Sequence, residues 1–166
     1  FKPYASKAFD RKRGGEWSDF GLRFNGATNG RNCAACPAAA AAIADHEASH
    51  TAVMGSAYFS LLRPRTHLKA HCGPTNVRLR MHLGLFVPKG CRIRVHDETR
   101  QWKEGECLLF DDSFEHEVWN DSDKERLVLI IDVWHPDLVT DAERTACLAD
   151  KEQRAAYAAL RRGDAY

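Results

Sequence analysis

Between residues 57 and 134 the chain carries a string of short apolar-rich runs with no helical pattern between them. That string narrows the possible folds more than any other feature. The runs are AYFSLL, VRLRMHLGLFV, CRIRVH, ECLLFDD, EHEVWN and RLVLIIDVW, separated by the turn-forming stretches RPRTH, PKG, WKEGE and NDSDKE. Closely spaced strands without intervening helices argue for an antiparallel sandwich or barrel, a mainly β fold. RLVLIIDVW is almost continuously apolar, so it is expected to be a central strand buried on both faces. Residues 1–32 show little periodicity and read as irregular structure with a short strand near FGLRFNG. CPAAAAAIADHEASH, 36–50, predicts a helix with Pro37 in its first turn. TDAERTACLADKEQRAAYAALRRGDA predicts a C-terminal helix, opened by a Thr140/Glu143 capping box and stopped at Gly163.

One domain is expected over 1–166: a flank at 1–56, a β core at 57–138 and the C-terminal helix at 139–166. Lys and Arg number 24 against 23 Asp and Glu, a formal charge of +1, so there is no basic footprint for nucleic acid. No apolar run reaches the length of a membrane span. The chain starts at Phe1, which suggests a domain excised from a longer or membrane-tethered protein, and the compartment stays open. Six cysteines are too few for a disulfide scaffold at this length.

Two strands hold the groups that could do chemistry. In VRLRMHLGLF, Arg78, Arg80 and His82 share one face, because strand side chains alternate. A solvated surface strand would give that pattern. So would a pocket for an anion, since Arg grips carboxylates in bidentate fashion. His71 stands ahead of a Gly-Pro turn, and His116 lies between two glutamates in FEHEVW. Two neutral imidazoles meeting across a sandwich suit Fe(II), Zn(II) or a similar ion. Arg126 heads the central strand, either as a solvated end or as the base of an anion pocket.

HCGPTNVRLRMHLGL, FDDSFEHEVWN and RLVLIIDVWHPDL resemble the catalytic domain of the aspartyl/asparaginyl β-hydroxylase family, with the close match over about Tyr58 to Leu138 and a looser one over 15–26. The resemblance implies a double-stranded β-helix (jelly roll) with flanking helices and a dioxygenase using Fe(II), 2-oxoglutarate and O2. Its implied reaction hydroxylates the β-carbon of Asp or Asn in a peptide or protein. It further implies His71 and His116 as iron ligands, Ser60 and Arg126 on the distal carboxylate of 2-oxoglutarate, and Arg80 and His82 at its other end. Arg78 and Asp112 are implied, less directly, to face the substrate. Gly73 stands where most such oxygenases carry a carboxylate ligand, so water is expected in its place.

Three other readings compete. Members of the wider family act on lipid acyl chains, so the same reaction could serve a lipid or small molecule. A jelly roll could bind metal without catalysis. Cys33, Cys36, His46 and His50 could form a zinc site, although the loop between the pairs is short for a finger; a disulfide from Cys33, or none, is the other possibility.

Overall fold

The computed structural model describes residues 2–3, 17–148 and 150–162. In chain order the elements are β1 (Lys2–Pro3), β2 (Trp17–Phe24), β3 (Ala27–Thr28), α1 (Gly30–Ala35), α2 (Pro37–Asp45), α3 (Glu47–His50), β4 (Ser56–Leu62) and β5 (Thr66–His71). There follow β6 (Arg78–Phe86), β7 (Cys91–Val95), β8 (Glu98–Arg100), β9 (Cys107–Phe110), β10 (His116–Asn120), β11 (Arg126–Trp134), α4 (Asp141–Cys147) and α5 (Lys151–Arg162). The strands form two antiparallel sheets. The larger runs β1-β2-β4-β11-β6-β9, with β3 beside β2, and the smaller runs β5-β10-β7-β8. This is the mainly β jelly roll with flanking helices, the C-terminal helix among them.

The core follows from strand alternation. Tyr58, Leu62, Val128 and Ile130 of the larger sheet meet Leu68, Ile93 and Val118 of the smaller one. On its outer face the larger sheet buries Leu22, Ala57 and Leu129 against Ile43 of α2. β11 therefore lies between β4 and β6 with both faces covered, as its almost continuously apolar run leads one to expect. A third cluster joins Trp134, at the end of β11, to Leu148 and to Tyr157 of α5.

Four sequence expectations need correction. The helix expected over 36–50 breaks at His46, whose backbone is extended (φ −96, ψ 102), giving α2 and α3. The single C-terminal helix is two. Leu148 is extended and buried in the third cluster, which ends α4. Asp150 restarts the chain by accepting from the backbone N–H groups of Glu152 and Gln153, as an N-cap does. The short strand near FGLRFNG is an eight-residue strand starting at Trp17, and THLKAH forms β5, where polar residues concealed the alternation. Pro37 and the Thr140/Glu143 capping box stand where expected; Gly163 and residues 4–16 lie outside the described residues. No helix among the described residues is long and apolar enough to cross a membrane.

Candidate active site

β5 and β10 bring the two histidines together. Through most of the pair the register is regular, with Val118 opposite Leu68 and Asn120 opposite Thr66. It slips by one residue before the end, so His71, not Ala70, lies opposite His116. A one-residue slip exchanges the faces of a strand, and it carries His71 onto the inner side. The imidazole centroids are 4.3 Å apart. His71 Nδ1 meets the Lys69 carbonyl at 2.7 Å, and His116 Nδ1 meets the Phe114 carbonyl at 2.9 Å. A carbonyl only accepts, so each Nδ1 carries the proton and each Nε2 keeps a lone pair. Burial, countered by the Phe114 carbonyl and reinforced by His71, lowers the His116 pKa and favours this neutral form.

The glutamates around His116 turn away. Arg94 donates to Glu115 at 2.9 Å and to Glu117 at 2.6 Å on the outer face of the smaller sheet, and His67 also binds Glu117. That leaves no acid of the FEHEVW stretch beside the histidine pair.

Facing the histidines, β6 and β11 build a buried ionic lattice. Arg80 grips Asp132 with Nε and Nη2, at 2.8 and 3.1 Å, and pairs with Asp112 at 3.0 Å. Arg78 reaches Asp112 at 3.1 Å, Asp132 at 2.9 Å and the Met54 carbonyl at 2.9 Å. Burial opposes the Arg80 charge, but Tyr58 and the Asp132 and Asp112 carboxylates hold its pKa above the ordinary value. Two guanidinium groups and two carboxylates cancel, which is how four charges tolerate this depth.

Arg126 has no such compensation. Its residue is 1% exposed and, among the described residues, no carboxylate pairs with it. It donates to Ser60 Oγ at 3.4 Å and lies 5.1 Å from the Trp102 ring centroid, while its Nε has no partner. Burial pushes its pKa down to about 10. Trp17 Nε1 also donates to Ser60, at 2.8 Å. His82 completes the recess: Trp102 Nε1 donates to its Nδ1 at 3.3 Å, so Nε2 bears the hydrogen, and that atom is buried without a partner. Burial, with Arg126, Arg80 and His116 nearby, drives the His82 pKa well below its ordinary value.

These groups line two adjacent spaces. An open cleft of about 530 Å³ is bounded by Trp17, Phe24, Tyr58, His71, Arg80 and His116. Behind it a recess of about 30 Å³ reaches Ser60, His82 and Arg126. The two share Trp17, Tyr58, His71, Arg80 and His116 as a common wall.

A model of the aspartyl/asparaginyl β-hydroxylase family matches residues 1–136. The chain belongs to that family. The mouse aspartyl/asparaginyl β-hydroxylase is 47% identical over 132 residues, covering 79% of this chain and 18% of the relative. Human aspartate β-hydroxylase domain-containing protein 2 is 43% identical over 136 residues, covering 80% of this chain and 37% of that protein. The chain thus spans well under half of either β-hydroxylase relative. A cupin 2 conserved barrel domain protein from Salinispora arenicola is similar in structure at 11% identity and a TM-score of 0.41, covering 64% of this chain and 71% of that one.

In this β-hydroxylase family member the structure brings Ser60, His71, Arg80, His82, His116 and Arg126 to one recess. Arg78 and Asp112 line the cleft, but both are buried and committed to the ionic lattice. Sequence reasoning missed Asp132, Trp17 and Trp102. Asp132 was discoverable: a lone carboxylate in RLVLIIDVW must be paired if the strand is buried. The indoles carried no signal, since tryptophans in a core are ordinary. Cys33, Cys36, His46 and His50 do not assemble; among the described residues no three His, Cys, Asp or Glu side chains are placed to hold a metal. Cys33 Sγ donates to the Leu22 carbonyl, and both cysteines are free thiols.

Proposed function

We propose that this chain is an Fe(II)- and 2-oxoglutarate-dependent dioxygenase that hydroxylates the β-carbon of an aspartyl or asparaginyl residue in a peptide or protein. The observation that carries the co-substrate is Arg126. A fully buried guanidinium with no anionic partner is costly unless a ligand supplies the anion. The recess has about the volume of one water molecule, so a dicarboxylate has to extend through it. One carboxylate then lies at Arg126 and Ser60, and the other end lies in the cleft beside the histidines. His82 Nε2–H, unpartnered and neutral, supplies a further donor on the way.

The residues fit a divalent iron ion. Two imidazoles with centroids 4.3 Å apart each keep a free Nε2 lone pair, and neutral imidazoles suit Fe(II). A third protein ligand at position 73 is excluded by space. A Cβ built on Gly73 would come within 2.5 Å of the Asp112 carboxyl group. Asp112 itself uses Oδ2 for Arg78 and Arg80, and its buried Oδ1 has no partner. That oxygen is suited to accept from a water beside the histidines. Bound iron would supply O2 activation coupled to oxidative decarboxylation of 2-oxoglutarate to succinate and CO2, leaving one oxygen for a C–H bond. The protein holds the co-substrate, orients both imidazoles and keeps Asp112 in place.

The substrate assignment rests on the family to which the chain belongs and on the relatives' names. The cleft supports it over a lipid acyl chain, because Arg78, Arg80 and Asp112 make its wall polar. The complete residue set, with its uncompensated arginine, supports catalysis over passive metal binding. The test is turnover of 2-oxoglutarate to succinate with Asp- and Asn-containing peptides, read by mass spectrometry. A gain of one oxygen on Asp or Asn, dependent on iron, O2 and 2-oxoglutarate, is expected. Hydroxylation of lipids or small molecules alone would overturn the substrate, and no turnover with any of them would overturn the enzyme.

A further inference from the structure

The larger sheet ends at β9 and the smaller at β8, and these edges do not pair with each other. Between them opens a cavity of about 240 Å³ that shares no lining residue with the cleft or the recess. Its walls are Ile93, Val95, Leu108, Leu109 and Phe110, and Glu98 and Arg100, which pair with each other at 2.9 Å, also line it. The ring of Phe110 also meets His82 at 5.0 Å and His116 at 5.6 Å, in both cases edge to face. Val95 and Leu108 lie directly across from His116 and His82 in the strand registers. One aromatic residue therefore touches both this cavity and a histidine proposed to hold iron.

We infer that this cavity is a site and entry path for dioxygen, separate from the polar cleft that admits the co-substrate and the peptide. The inference rests on the proposed function, which makes O2 a substrate. The cavity's charged lining groups, Glu98 and Arg100, are paired with each other, so a peptide or dicarboxylate that gives up water contacts there recovers little from the remaining apolar walls. A small apolar molecule loses none and gains dispersion contact with the walls. Enclosed apolar cavities smaller than this one take up xenon, and Ile93, Val95, Leu108 and Phe110 offer a comparable apolar lining here. The cleft, once filled by co-substrate and substrate, is obstructed, whereas the side cavity stays open.

Xenon is the probe, because it reports the cavity without iron or turnover. Under xenon pressure, NMR of the purified protein should show shifts at the methyl groups of Ile93, Val95 and Leu108, with the buried Leu62 and Leu148, which do not line this cavity, unchanged. Val95→Phe, and independently Leu108→Phe, should fill the cavity and abolish those shifts. Each should raise the KM for O2 several-fold while the KM for 2-oxoglutarate and kcat at saturating O2 are retained. Absence of xenon shifts in the unaltered protein, or an unchanged KM for O2 in folded variants that no longer bind xenon, overturns the inference and leaves the proposed function standing. Failure of the unaltered protein to consume O2 with 2-oxoglutarate, with xenon bound, overturns the proposed function and this assignment together.

Discussion

Replacing Arg126 with methionine should make the ligand-free protein more stable while removing its response to 2-oxoglutarate. The guanidinium is fully buried, and burial pulls its pKa from the ordinary arginine value down to about 10, a lowering of more than a hundredfold in the protonation equilibrium. At roughly 1.4 kcal/mol for each tenfold change in the protonation equilibrium, the fold holds this charge at a cost of about 3 kcal/mol. Its compensation is small. The contact to Ser60 is long at 3.4 Å, and the cation–π contact with Trp102 contributes on the order of 1 kcal/mol. Methionine fills similar volume without charge, so the net gain should be about 2 kcal/mol, or roughly 4–8 °C in Tm for a chain of this size. The sign depends on pH. The unfolded chain holds the Arg126 proton to higher pH than the fold does, so the cost is complete at pH 7 and fades only above about pH 10. Thermal unfolding at pH 7 should therefore show the variant melting higher. Added 2-oxoglutarate with manganese, at roughly a hundredfold its Kd, should stabilise the unaltered protein by about 2.7 kcal/mol and the variant hardly at all. A variant no more stable than the parent would show that the buried charge is compensated. Equal stabilisation of both by 2-oxoglutarate would remove Arg126 from the binding site.

His71→Ala or His116→Ala should each abolish iron binding in equilibrium dialysis, whereas Glu115→Ala and Glu117→Ala should keep it, since Arg94 holds both glutamates on the outer face. Gly73→Ala should lower stability by roughly 1–3 kcal/mol in denaturant titration, because its new carbon meets an Asp112 carboxyl pinned by two arginines; no change in midpoint would contradict that crowding. Metal-free protein should lose stability as pH falls below about 6.5, since His82 is neutral in the fold with a lowered pKa while the unfolded chain gains a proton. His82→Gln should flatten that slope, and an unchanged slope would argue against a buried neutral His82.

Much of this was readable from the chain alone. Alternation in VRLRMHLGLF placed Arg78, Arg80 and His82 on one face, and the almost continuously apolar run of β11 predicted a strand covered on both sides. In EHEVWN the same two-residue period separates His116, Val118 and Asn120 from Glu117, as observed, and the resemblance to the family implied that the histidine's face is the inner one. These are local properties, because a strand's side-chain direction is fixed by position parity. The motifs, long and correctly ordered, also identified the family.

What local pattern could not supply was anything set by one strand against another. Parity along β5 alone would send His71 outward with His67 and Lys69. Only the slip in pairing with β10 brings it opposite His116. The neutralisation of Arg78 and Arg80 by Asp112 and Asp132 joins positions 32 to 54 residues apart and needs the β6–β11 register. The isolation of Arg126 is likewise a tertiary fact, since a sequence lists every acid but does not say which ones fail to reach a given guanidinium. The helix break at Leu148 has the same origin: propensity favours continuation, and burial of Leu148 against Trp134 and Tyr157 overrides it. Periodicity thus determined which way each side chain points, while the pairing of the sheets decided which charges and rings meet there.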